Sequence, residues 1–278
     1  MQIPRLYCPQ LVSGGNVLSA EESHHAVTVL RLRKGDRAVL FDGAGQESEG
    51  TVANASKRRM EIAVVTLTRR AFETLHRLTL AVALAKAHRH AYLVEKCTEL
   101  GVAGFWPILA ERSVTKRSPS PPGRGAGGRA TAVSAVGYSP SPPGRGVRGE
   151  GEGEGKLHRR AVEAAKQSHR AWIPTFAELQ PLVRAIHRIP EFTAAAIADI
   201  DATDAWPAFL SQQPAGATLL AFVGPEGGFS PAECDQLIAA GAHPVRLAST
   251  VLRTETAAVA LCAAEAAIPL SLRERGQG

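Results

Sequence analysis

The sequence predicts an α/β protein of two domains, and three observations carry that reading. Short β-rich runs broken by turn signals fill the first 70 or so residues. From Leu78 onward, apolar strand-like runs alternate with stretches of helical periodicity. Two polar segments, residues 223–230 and 247–257, each follow such a run near the C-terminal end. Strands separated by helices imply a mainly parallel sheet in the second part. With 278 residues, 45% of them hydrophobic, the chain has material for two cores.

The elements follow in order. Leu6-Tyr7-Cys8, residues 38–41 before Asp42-Gly43, and residues 60–65 read as strands of a small β-barrel. One helix interrupts them. Ser19 with Glu22 three positions on has capping-box spacing, and the helix continues through Ala26, Val27, Val29 and Leu30. The second part opens with a buried-strand run, residues 78–84. A helix over residues 92–100 follows, ended by Gly101. Further strands are expected at 105–109, 194–198, 219–223 and 243–247, and a last helix at 257–268. The expected division is therefore 1–72 and 73–278.

Residues 115–156 interrupt the second domain. They hold the octapeptide Ser118-Pro119-Ser120-Pro121-Pro122-Gly123-Arg124-Gly125, repeated at 139–146, and then a Gly-Glu alternation at 149–155. Proline and glycine at this density cannot build a core, which predicts a disordered loop that can be deleted over 117–155 without loss of folding or activity. Residues 123–128 match G-x-G-x-x-G in form only. Prolines precede them where a dinucleotide site needs a strand, and no helical run follows.

Charge and cysteine content narrow the function. The net charge is +6, but seven basic and three acidic side chains in residues 115–156 supply four of those charges. Bulk charge is thus weak support for a nucleic-acid partner. Cys8, Cys97, Cys234 and Cys262 lie far apart and form no C-x-x-C pair, so neither a disulfide framework nor a zinc site is signalled. His88 and His90 have no companion ligands, and no metal is expected. The first ten residues carry Pro4 and Arg5 in place of an apolar run, and no stretch reaches membrane-spanning length. A soluble, cytoplasmic protein without a membrane partner is the expectation.

Four segments bear chemistry. Val223-Gly224-Pro225-Glu226-Gly227-Gly228-Phe229-Ser230 follows a strand run and precedes a helix that Ser230 and Glu233 would cap. A glycine loop at a strand's carboxyl end lets backbone approach a ligand closely, although a plain connecting turn uses the same residues. Residues 247–257 place Arg253 and Glu255 before an alanine-rich helix, where Thr254 could also act simply as a cap. Residues 95–102, leading to Glu111-Arg112, read better by themselves as a solvated helix face with Glu95 and Glu99 four apart, and the helical residues 159–170 could also be only surface.

Together and in this order, E-K-x-T-E-L-G-V at 95–102, E-A-x-x-Q-S at 163–168, G-P-E-G-G at 224–228 and L-R-T-E-T-A at 252–257 resemble the RsmE family. These are ribosomal RNA uracil-N3 methyltransferases of the SPOUT class. The resemblance covers the chain apart from 115–156. It implies a PUA-like β-barrel followed by a SPOUT α/β domain with a deep trefoil knot, and a homodimer. It also implies S-adenosylmethionine as cofactor and 16S rRNA of the small ribosomal subunit as partner, methylated at N3 of a uridine. The chain departs from the family at Ala248, where glycine is usual, and at His169, where a small residue is usual.

Roles follow from the same resemblance. Leu219, Val223, Gly224, Pro225, Glu226, Gly227 and Gly228, with Leu247, Ser249, Leu252 and Arg253, are expected to hold the cofactor, its adenine near Leu219, Leu247 and Leu252. Arg253 is expected to stabilise charge on the uracil, with Glu226 and Glu255 orienting it or accepting a proton. Arg5, Arg31, Arg33, Lys34, Arg89, Lys96, Arg112 and Arg170 are the expected phosphate contacts. Two other readings stay open: a SPOUT enzyme acting on a ribose 2′-hydroxyl, and a non-catalytic RNA-binding assembly factor.

Overall fold

The computed structural model describes residues 3–83, 87–113 and 152–270. The first part comprises β1 (Arg5–Tyr7), β2 (Gly14–Val17), α1 (Ala20–Thr28), β3 (Arg37–Phe41), β4 (Gln46–Ala55), β5 (Met60–Val64) and β6 (Thr68–Arg69). They form one mixed sheet in the order β1-β3-β4-β5-β2, with β6 joined to β4. The end strands are bridged by side chains, Cys8 Sγ lying 3.9 Å from Asn16 Oδ1. Alternation explains the core: Met60, Ile62 and Val64 of β5 point inward with Leu6 and Leu40. Burying each stabilises the sheet by about 2 kcal/mol. Ser19 caps α1 as its spacing predicts, accepting from Glu22 N at 3.1 Å. The reciprocal half of the box is not made, because the Glu22 carboxylate accepts from Tyr7 N instead.

The second part continues with β7 (Arg77–Ala83), α2 (Ala87–Glu99), β8 (Gly104–Leu109), α3 (Glu152–Gln167), β9 (Thr175–Phe176), β10 (Gln180–Pro181), α4 (Leu182–His187), β11 (Ala194–Ala198), α5 (Trp206–Ser211), β12 (Thr218–Val223), α6 (Pro231–Ala239), β13 (Ala242–Val245) and α7 (Thr254–Ala266). Its sheet is parallel throughout, in the order β10-β8-β7-β12-β11-β13, with β9 on β8. Helices cover both faces, which is why β7 is a continuous apolar run. Leu78, Leu80 and Val82 enter one core with α2 and α7, and Ala81 and Ala83 enter the other with Ile108 and Leu237.

Two expectations need correction. Helix α2 starts at Ala87, five residues before its predicted start, so Arg89 belongs to its first turn. The interrupting segment was expected to run as a loop to residue 156, but α3 begins at Glu152. Leu157, Ala161, Ala164 and Ala165 recur at helical spacing on the packed face, and once a helix is nucleated each added residue contributes a hydrogen bond. A deletion through residue 155 would therefore remove the first turn of α3. The rest of that expectation, residues 115–151, lies outside the described residues, as does Leu84.

Ion pairs join the two parts. Lys166 of α3 reaches Glu22 of α1 at 2.8 Å, and Arg170 reaches Glu73, in the link before β7, at 3.1 Å. The main chains also meet, Gly45 N donating to Ala171 O at 3.1 Å.

Candidate active site

Three strands of the parallel sheet end side by side, and their carboxyl ends open onto a cleft of about 220 Å³. After β12, Gly228 N donates to Pro225 O at 2.8 Å, closing a tight turn that Gly228 completes at φ +69°. Gly224 packs under the same turn; a Cβ there would lie 3.1 Å from Phe229 N. Ser230 then starts α6 with both halves of its capping box made, Glu233 N to Ser230 Oγ and Ser230 N to the Glu233 carboxylate. After β13, residues 246–253 lie across the cleft, and Thr254 Oγ1 ties the two loops together by donating to Gly224 O at 3.0 Å. The walls are apolar, from Ile197, Phe229, Leu247 and Leu252, with Asp199, Glu226, Thr250 and Thr254 as polar residues among them. Such a lining suits a small molecule with an apolar body and few polar anchors.

Charges gather at the rim. Arg89 donates to the Glu226 carboxylate and lies 3.7 Å, through Nε, from Glu255 Oε1. The second oxygen of Glu255 is buried and has no hydrogen-bond partner among the described residues. Arg112 Nη1 donates to Gly227 O at 2.8 Å, bracing the turn from β8's side. Cys234 lines the cleft, but burial foremost, and then Asp199 and other nearby carboxylates, push its thiol above its ordinary range. It stays protonated at neutral pH and is a poor nucleophile.

Residues 73–124 and 148–266 match the family model described as an RNA methyltransferase domain, and residues 18–65 match the RNA methyltransferase PUA domain. Ribosomal RNA small subunit methyltransferase E of Mycobacterium bovis is 31% identical over 249 residues, 87% of this chain and 82% of that one. The chain belongs to that methyltransferase E family. The Bacillus subtilis member is 27% identical over 86% of this chain and 85% of its own length. In fold, the chain resembles the Neisseria gonorrhoeae member solved with S-adenosyl methionine, with a TM-score of 0.70 at 23% identity, covering 95% and 96% of the two chains.

Membership in the methyltransferase E family makes RNA the substrate class and methyl transfer the reaction. Within the cleft, the structure brings together Val223, Gly224, Pro225, Glu226 and Gly228. Leu247 and Leu252 face them from the second loop. Four expected cofactor contacts lie off this lining: Leu219, Gly227, Ser249 and Arg253. Leu219 sits near the amino end of β12, only 1% exposed, and four strand residues place it about 13 Å from Val223. Ile197 and Ile200 supply apolar wall instead, and Asp199 stands with them. The signal for these three was the carboxyl end of the 194–198 strand, which in an open α/β sheet is where ligands sit.

The expected roles of the charged residues are also redistributed. Glu226 and Glu255 engage Arg89, not Arg253, which is exposed at the N-cap of α7. Four expected phosphate contacts are committed elsewhere. Arg5 is buried against Glu47 at 3.0 Å and donates to Arg170 O. Arg170, 3% exposed, donates to Glu73 and to Thr98 O. Lys96 lies between Glu99 at 2.9 Å and Glu95 at 3.0 Å, which raise its pKa and cancel its field. Arg112 holds the glycine turn. Arg31, Arg33 and Lys34 remain exposed together after α1.

Ala248 causes no strain, since its φ is not positive. His169 is different. It sits at φ +60°, the left-handed position of a Schellman cap, with Arg170 N donating to Ala165 O at 2.9 Å.

Proposed function

We propose that this chain methylates N3 of a uridine in 16S rRNA of the small ribosomal subunit, with S-adenosylmethionine as donor. The observation that carries the reading is the cleft itself, walled by the turn after β12 and the loop after β13 and tied by Thr254 to Gly224. Its residues fit the donor: Gly224 and Gly228 line the cleft without side chains, so backbone can approach a ligand closely, and Leu247, Leu252 and Ile197 give an apolar slot for an adenine. When bound, S-adenosylmethionine supplies a methyl group made electrophilic by its sulfonium. Residues 223–228 and 247–252 would hold it, chiefly through main-chain groups.

The chain's own part is alignment and electrostatics. Arg253, free at the rim, stabilises negative charge on the uracil ring. Glu255 keeps an oxygen without a partner among the described residues, a lone pair for the proton that leaves N3. Arg31, Arg33 and Lys34 contact phosphates, and single-stranded or loop RNA is favoured because pairing would hide N3. The same reading has 1–72 and 73–278 as domains, a knotted path through the second, a homodimer and a cytoplasmic location. Among the described residues, no helix is long and apolar enough to cross a membrane.

The test is calorimetric titration with S-adenosylmethionine, followed by transfer to undermethylated small subunits and nucleoside analysis. Binding with N3-methyluridine as product is expected. A 2′-O-methyl product would move the enzyme to a ribose-modifying branch, and no binding by folded protein would leave an RNA-binding assembly factor.

A further inference from the structure

Arg89 stands where a cation is disfavoured. It lies in the first turn of α2, where the aligned peptide dipoles present partial positive charge, and that turn has no acidic residue of its own. The compensating charge comes from other elements. Glu226 of the turn after β12 accepts from Nη1, and Glu255 of the first turn of α7 lies 3.7 Å from Nε. The Arg89 side chain is 19% exposed, Glu255 12% and Glu226 56%. One guanidinium thus bridges the two segments that form the cleft.

We infer that Arg89 is a positioning residue of methyl transfer, which fixes Glu226 and Glu255 and offsets their charge beside the reacting uracil. This deepens the function proposed above and rests on it. Without Arg89, two carboxylates would stand uncompensated beside the base that must lose its proton. Around them lie Asp199 after β11, Arg112, whose guanidinium is turned to the carbonyls of Gly227 and Phe229, the protonated thiol of Cys234 on α6, and exposed Arg253. Among the described residues, Arg253 would then be the cation left to oppose them. A uracil losing its N3 proton becomes an anion, and two nearby negative charges make that loss harder.

The decisive experiment compares wild type, Arg89→Ala, Arg89→Lys, Glu226→Gln and the Arg89→Ala/Glu226→Gln double variant. Methyl transfer to undermethylated small subunits is followed against pH, with cofactor affinity by calorimetry and thermal midpoints on the same preparations. Arg89→Ala should lower kcat about tenfold and displace the pH–rate profile upward by about one unit. KM for the subunit and cofactor affinity should stay within about twofold. Arg89→Lys, and separately the double variant, should recover most of the loss, because each restores the charge balance. A rise in KM at constant kcat, with no rescue by Glu226→Gln, would make Arg89 an ordinary phosphate contact and overturn the inference. So would a loss of cofactor affinity and thermal midpoint that tracks the loss of kcat. Unchanged kcat in Arg89→Ala overturns it while leaving the methylation reading intact; a wild type that forms no N3-methyluridine overturns both.

Discussion

At the junction of the two sheets, Arg170 is 3% exposed and spends its guanidinium on Glu73 and on the carbonyl of Thr98. At the cleft, Arg253 is exposed and Glu226 is open to water on one side. Both arginines lie in charged segments that mark the family, yet they do opposite things. Burial at the junction makes a charge structural: Glu73, main-chain oxygens and the face of the Phe72 ring compensate Arg170, and desolvation lowers its pKa despite Glu73. Exposure at the rim leaves a charge available to a ligand at little cost to the fold. Residue type predicts the chemistry a side chain can do, and burial decides whether it is free to do it.

The largest test of this contrast is Arg170→Ala, which strands Glu73 and the Thr98 carbonyl in the junction. Stability in equilibrium urea denaturation should fall by about 3 kcal/mol. Arg253→Ala should do the reverse, lowering turnover about 100-fold with an unchanged denaturation midpoint and cofactor affinity within about twofold. Normal turnover would remove Arg253 from the mechanism.

Smaller effects sharpen the same boundary. His169→Gly relieves the left-handed backbone at the end of α3 and should raise stability by about 1 kcal/mol without altering activity. His90 follows Arg89 on α2 but lines the groove between α2, α3 and α1. Burial, only partly offset by a hydrogen bond to Ala83, lowers its pKa. The unfolded chain therefore binds a proton first, so stability is intact above the ordinary histidine range near 6.5 and falls as pH drops through it. His90→Asn should flatten that acid-side slope in urea midpoints measured from pH 7 to pH 5.

Much of this was legible in the chain. Periodicity gave β7, β8, β11 and β12 to within a residue or two, because strands buried on both faces must be apolar throughout. Strand β4 was invisible: its outward side chains are polar, as in Glu49 and Thr51, and its burial is only partial. Strands β9 and β10 have two residues each, too few to show a period. The start of α3 was hidden by the Gly-Glu alternation, which only packing further along the helix overrides.

By itself, the sequence determined the two loops that make the cleft, because glycine turns, capping residues and strand ends are local and leave local marks; the reaction class came from the resemblance of four of its motifs to a known family. Only the tertiary structure decided which charges stand at the cleft and which are paired away from it. Arg5 and Arg170 are neutralised by carboxylates and carbonyls from elsewhere in the chain, and Arg89 is recruited by two acids more than a hundred residues away. Ion pairing depends on distance in space and on desolvation, and neither is written in the spacing of residues along the chain.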